Sequence, residues 1–209
     1  MNIVLPHTMQ PQLPTNSRLV FVRHANTDKA TPDEARQLTD IGRQQAFRTG
    51  QKTGRIFSKV ITSSVLRTQQ TARLIASDDD LSLTSLDILY RTPGDVDWAI
   101  LNKMFAELGN APLSAYHLRE DWHVLQEFGK AAAEAILAEV ADLENGSDIL
   151  IVSHAVLTPA FVHELFAGAN PAEQSVRDTV YETVLGECGF IEVTIGDTLD
   201  DIAITVTTE

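Results

Sequence analysis

Two unbroken apolar runs in this chain each end in a histidine. The first is Leu19-Val20-Phe21-Val22, followed by Arg23-His24; the second is Ile149-Leu150-Ile151-Val152, followed by Ser153-His154. Short continuous apolar runs of this kind read as parallel strands buried on both faces, each delivering polar residues at its exposed carboxyl end. The first strand spans about 18–22. A charged stretch, 28–38, follows it, and then a helix from an N-cap at Thr39 or Asp40 to about Lys52, with Ile41, Ala46 and Phe47 as its apolar face. Lys59 to Ser63 predicts a second strand, and 65–76 a helix with Leu66, Thr71, Leu74 and Ile75 at helical spacing, capped by Ser63-Ser64.

Further on, Ser77-Asp78-Asp79-Asp80 reads as a solvated turn, because no further ligands follow at a useful metal spacing. Leu81 to Leu89 predicts another strand. Residues 96–108 predict a helix carrying Trp98, Leu101, Phe105 and Leu108, halted at Gly109-Asn110-Ala111-Pro112. A long helix is expected over about 117–144 and another over 157–168, with Pro159 in its first turn. Two β-rich runs, 189–195 and 202–206, close the chain as a hairpin. Strand alternating with helix is the grammar of a parallel sheet covered on both faces. The predicted fold is therefore α/β: a three-layer α/β/α arrangement with a largely parallel central sheet and a small helical lid insertion. Residues 1–17, with Pro6, Pro11 and Pro14, form an irregular leader, and 18–209 a single domain in which 77–147 contributes a lid or substrate-facing insertion, 93–116 lying over the sheet edge.

Composition narrows the partners. With 44% hydrophobic and 22% charged residues, disorder and coiled coil are excluded. A formal charge of −13 repels nucleic acid and anionic membranes, so an anionic substrate has to be held by local arginines. The start of the chain does not read as a secretory signal, and no apolar run approaches membrane-spanning length. The single cysteine, Cys188, has no intrachain partner and no basic neighbour, which fits an inert thiol in a reducing cytoplasm.

In an open α/β sheet, ligands bind outside the carboxyl ends of the strands. Three segments converge there: Arg23-His24, Ser63 to Arg67, and Ser153-His154. Two arginine forks suit a phosphate, and a neutral imidazole whose other nitrogen is held by a carbonyl can attack phosphorus. A second histidine, donating a proton, would stabilise the phosphoryl oxygens. No cysteine–histidine cluster has metal spacing and no glycine-rich phosphate loop occurs.

These residues resemble the histidine phosphatases, the phosphoglycerate-mutase-like superfamily. Val22-Arg23-His24-Ala25-Asn26-Thr27 is similar to its Arg-His-Gly-x-Thr signature, with Ala25 in the glycine position. Leu38-Thr39-Asp40-Ile41-Gly42-Arg43-Gln44-Gln45-Ala46 is similar to Leu-Thr-x-x-Gly-x-x-Gln-Ala. Ser63-Ser64-Val65-Leu66-Arg67-Thr68-Gln69-Gln70-Thr71-Ala72 resembles Ser-Pro-Leu-x-Arg-Ala-x-Gln-Thr-Ala, and Val152-Ser153-His154 matches the second-histidine motif.

The resemblance implies that His24 becomes phosphorylated, that Arg23, Arg67 and His154 bind the phosphoryl oxygens, and that Thr27 or Asn26 adds a neutral donor. It implies no metal and no cofactor. The glutamate that usually protonates the leaving group is absent from 86–98, and Ala155 follows His154 where another branch has aspartate. Asp95, with Asp97 as its substitute, is the acid expected in its place; small members acting on phosphohistidine and phosphoramidates also lack the glutamate. The expected activity is a metal-independent phosphatase acting on a phosphorylated small molecule or phosphoprotein, without nucleic acid or membrane partners. The alternatives are a phosphoglycerate-type mutase and a non-catalytic phosphate-binding module.

Overall fold

The structure, a computed structural model, describes residues 13–29, 32–54, 56–78, 82–92, 94–168, 170–198 and 200–208; the side chains of 95 and 96 fall outside this description. Strands β1 (Arg18–Arg23), β2 (Lys59–Thr62), β3 (Thr84–Ser85), β4 (Asp148–Ser153), β5 (Phe190–Ile195) and β6 (Ile202–Thr207) form one sheet in the order β3-β2-β4-β1-β5-β6. The four strands from β3 to β1 are parallel, and the predicted hairpin of β5 and β6 adds an antiparallel edge beside β1. Around the sheet lie α1 (Asp40–Thr53), α2 (Leu66–Ala76), α3 (Asp95–Leu108), α4 (Leu113–His117), α5 (Trp122–Val140), α6 (Leu157–Leu165) and α7 (Pro171–Tyr181).

Side-chain alternation along β1 builds both faces of the predicted three-layer fold. Val20 and Val22 pack with Ala46 of α1 and with Ala72 and Ile75 of α2. Leu19 and Phe21 point the other way, into a larger core with Phe128 and Ile136 of α5 and Phe161 of α6. Burying each such side chain contributes about 1.5–3 kcal/mol, so the sheet is held from both sides and its strand ends are rigid anchors.

Several local expectations are corrected. On α1, Ile41 and Phe47 face outward at 65% and 50% exposure, and the buried stripe is Gly42, Ala46, Thr49 and Thr53. Small residues are required there because a Cβ on Gly50 would stand 2.4 Å from the Ile75 carbonyl oxygen of α2. The cap of α1 is Thr39, whose hydroxyl accepts from the Gly42 amide. By contrast, the N-cap of α2 is Val65, without a side-chain cap.

The strand expected over 81–89 is only Thr84–Ser85, after which Leu86 donates to the Thr62 carbonyl and a 3-10 turn, Asp87–Leu89, begins. The long helix expected from 117 is broken. Leu118 is 87% exposed, and Arg119 pairs with Glu107 and Asp121, so α4 stops and α5 starts afresh at Trp122. Helix α7, unassigned in the sequence, begins at Asn170, whose side chain accepts from the Glu173 amide, with Pro171 in the first turn. Of the expected leader, 1–12 lie outside the described residues, as do 79 and 80 of the expected turn; Asn16 is tied to the body through the Gly196 carbonyl. Among the described residues no helix is long and apolar enough to cross a membrane.

Candidate active site

Strand register brings the two histidines together. Arg23 of β1 pairs with Ser153 of β4, and the His24 amide donates to the Ser153 carbonyl at 2.9 Å, so both chains leave the sheet side by side. The His24 and His154 rings meet edge to face with centroids 5.2 Å apart. The first turn of α2 inserts Arg67, only 3% exposed, with Nη2 3.4 Å from His154 Nδ1. Arg23, His24, Arg67 and His154 thus line one cavity of about 700 Å³, with Trp98, Asn102 and Phe105 of α3 on its wall.

Hydrogen bonds fix the state of each imidazole. His24 Nδ1 lies 2.8 Å from the Ala25 carbonyl. A carbonyl can only accept, so Nδ1 carries the hydrogen and Nε2 keeps the lone pair of a nucleophile. His154 Nδ1 receives from Arg67, which leaves Nε2–H to donate to Ser63 Oγ at 2.9 Å. Ser63 in turn donates to Thr68 Oγ1 at 2.9 Å, and Thr68 to the Val65 carbonyl at 2.8 Å. Ser63, expected as a helix cap, instead orients the second histidine.

Burial, reinforced by Arg67 and Arg23, holds the His24 imidazole down to about 3. Burial also pushes His154 well below the ordinary imidazole range, with His24 and the two arginines adding to it. Both rings are therefore neutral at physiological pH, and the local positive charge belongs to the guanidiniums. Arg23 Nη1 donates to the Leu185 carbonyl at 2.7 Å, but Arg23 Nε and Arg67 Nε are buried without a partner among the described residues. Such donors cost about 1–3 kcal/mol each when unmet, and an oxyanion between the two forks is their natural acceptor.

Residues the sequence did not single out complete the rim. Asp33, on a 3-10 turn, accepts from Arg67 Nη1 through its carbonyl and from Nη2 through Oδ2, both at 2.8 Å. Its Oδ2 also accepts from the Tyr90 hydroxyl at 3.0 Å, while Oδ1 pairs with Arg36 at 2.8 Å. Although burial works against it, Arg67 and the Tyr90 hydrogen bond keep the Asp33 carboxyl below its usual range. Burial and Asp33 raise Tyr90 to about 12. The only trace of Asp33 and Arg36 in the sequence is one charge of each sign, three residues apart, just before the Leu38-Thr39 segment.

The other expected site residues lie elsewhere. Asn26 donates to Glu187 Oε1 at 3.0 Å and accepts from Thr39 Oγ1 at 2.6 Å, and its amide donates to Gln45 Oε1. Thr27 bridges to Leu38. Neither lines the cavity; both brace the loop that carries His24. That explains the second motif, since Thr39 and Gln45 grip Asn26 while a Cβ on Gly42 would stand 2.0 Å from its carbonyl oxygen. Asp97 is exposed and lines a separate cavity with His123 and Glu127. Asp95 opens α3, but its side chain lies outside the described residues. Cys188 is buried, its thiol pushed up to about 12 by that burial. Among the described residues no group of three or more His, Cys, Asp or Glu is placed to hold a metal ion.

The histidine phosphatase superfamily (branch 1) model matches residues 19–182, the segment that carries all four motifs. The chain belongs to this superfamily. It is 36% identical over 77 residues to the mitochondrial serine/threonine-protein phosphatase Pgam5 of Drosophila grimshawi, covering 34% of this chain and 27% of that protein. The match therefore spans about a quarter of that curated relative's length. Among solved structures, the mycobacterial glucosyl-3-phosphoglycerate phosphatase in complex with VO3 superposes with a TM-score of 0.62 at 19% identity, covering 91% of this chain and 98% of that one. The alpha-ribazole phosphatase of Shigella flexneri superposes with a TM-score of 0.60 at 23% identity, covering 92% and 96%. These likenesses are of fold.

Proposed function

We propose that this chain is a metal-independent phosphatase that hydrolyses a phosphomonoester or phosphoramidate through a phosphohistidine on His24. The observation that carries the reading is the His24 tautomer: Nδ1–H is held by the Ala25 carbonyl, and the Nε2 lone pair shares a cavity with two guanidiniums whose Nε donors lack partners among the described residues. His24 attacks phosphorus, and Arg23 and Arg67 hold the equatorial oxygens where charge builds in the transition state. His154 holds a third oxygen. In the free protein its Nδ1 accepts from Arg67, so it donates to the phosphoryl group only after taking a proton as the dianion arrives. Water then attacks the phosphohistidine and releases phosphate.

The test is rapid quench with a chromogenic aryl phosphate in chelator, followed by mapping of acid-labile phosphate. Label on His24, and turnover reduced to background in His24→Ala, are expected. Turnover that survives His24→Ala, or label on another residue, would sink the mechanism.

A further inference from the structure

A second cavity, of about 260 Å³, opens at a seam between four helices. Its lining includes His117 at the end of α4, Trp122 at the start of α5, His163 of α6, and Arg177, Asp178 and Tyr181 of α7. None of these residues lines the cavity that holds Arg23 and Arg67. The volume lies below the range of about 300–1,000 Å³ typical of drug-sized sites, so it admits a ligand of one or two rings.

Four rings border this space. The His117 ring centroid lies 5.2 Å from that of Trp122, at an interplanar angle of 34°, and 5.8 Å from that of Tyr181. The His163 ring lies 6.0 Å from Tyr181, at 37°. His163 is buried and its Nδ1–H donates to Glu164 Oε1 at 2.9 Å, which fixes that ring. Flat aromatic faces in such an arrangement suit a flat apolar ligand. A cationic donor is supplied by Arg177, one helical turn before Tyr181 and on the same side of α7. Its Nε is buried without a hydrogen-bond partner among the described residues. Asp178 does not fill that role, because it is exposed and its Oδ1 accepts from Gln174 at 2.6 Å. A guanidinium donor left unmet in this way calls for an oxyanion, and its planar fork matches a carboxylate through two parallel bonds. The same guanidinium disfavours a cation among the rings.

We infer that this seam is a second ligand site, for a small aromatic carboxylate. The ring of the ligand lies among His117, Trp122 and Tyr181, and its carboxylate takes the Arg177 fork. The inference uses no residue of the cavity around His24 and is independent of the phosphohistidine reading.

The experiment is titration calorimetry of the full chain with naphthoate, with the neutral naphthamide and with the non-aromatic cyclohexanecarboxylate. Each titration is run with and without excess inorganic phosphate, which competes for Arg23 and Arg67. Naphthoate is expected to bind one per chain with a Kd below about 1 mM, with and without phosphate, and the other two at least about tenfold more weakly. Arg177→Gln is expected to keep the thermal midpoint and to weaken naphthoate at least about tenfold, to the level of naphthamide. Should Arg177→Gln disturb folding, Trp122→Leu decides: it weakens naphthoate several-fold and leaves cyclohexanecarboxylate unchanged. No binding of naphthoate, equal binding of naphthamide, or unchanged affinity in folded Arg177→Gln or Trp122→Leu overturns the inference. Naphthoate binding that phosphate abolishes assigns the carboxylate to the Arg23–Arg67 cavity and overturns it too. Absence of label on His24 fails the phosphohistidine mechanism alone.

Discussion

A chain of hydroxyls, not a carboxylate, sets the second histidine. Val65, Thr68 and Ser63 pass their hydrogen bonds in one direction and leave His154 with its lone pair on Nδ1, facing Arg67 and the cavity. Ser63→Ala leaves Nε2–H buried without an acceptor, at a cost of about 1–3 kcal/mol, and frees the ring to take either tautomer. We expect kcat/KM to fall roughly 10–100-fold, with an altered pH dependence of phosphate inhibition, measured beside the wild type. Unchanged kinetics and pH dependence would mean that the chain does not set the tautomer. Arg23, His24, Arg67 and His154 were legible from sequence because each follows a strand end or opens a helix whose pattern is strong. Ser63 was legible as a residue but not in its role, since a cap and a histidine partner demand the same hydroxyl. Asp33 and Tyr90 were not legible at all: they reach Arg67 from irregular segments, 34 and 23 positions away in the chain, whose approach only tertiary packing decides.

Helix α1 shows where hydrophobic periodicity misleads. Its inward stripe is small and its large apolar residues face solvent, because the helix must lie against the Asn26 loop at one end and the backbone of α2 at the other. Gly50→Ala places a methyl 2.4 Å from the Ile75 carbonyl oxygen, which can yield only if the helices separate. Overpacking of this kind costs about 1–3 kcal/mol, against about 1 kcal/mol gained from alanine's helix propensity. For a chain of this size the net loss, up to about 2 kcal/mol, is expected to lower the melting temperature by up to roughly 8 °C, read by calorimetry; a higher midpoint would contradict the close α1–α2 contact. The same physics explains which elements the sequence revealed. Fully buried strands and the helices after them carry strong signals, whereas β3 is an edge strand kept to two residues and the break between α4 and α5 depends on Arg119 meeting acids on both sides.

For the whole molecule, a cavity lined by two guanidiniums and two imidazoles lies inside an acidic protein of net charge −13. Two imidazoles kept neutral between guanidiniums tie stability to pH. In the unfolded chain each takes a proton near its ordinary 6.5, whereas folded His24 resists until about 3 and His154 also titrates well below the ordinary value. Below pH 6.5 the unfolded state therefore binds more protons, and each histidine removes up to about 1.4 kcal/mol of stability per pH unit as the pH falls towards its folded value. Protonation of surface carboxylates relieves self-repulsion and acts in the opposite direction, but mainly below about pH 5, so the window from 6.5 to 5 isolates the histidines. Urea midpoints are expected to fall across that window and to fall less in His24→Asn/His154→Asn. Excess inorganic phosphate should flatten the dependence as well, because an anion between Arg23 and Arg67 lets folded His154 accept the proton it otherwise refuses. Midpoints that stay level from pH 6.5 to 5, or a slope that phosphate leaves untouched, would mean that the two rings are not the neutral pair this geometry requires.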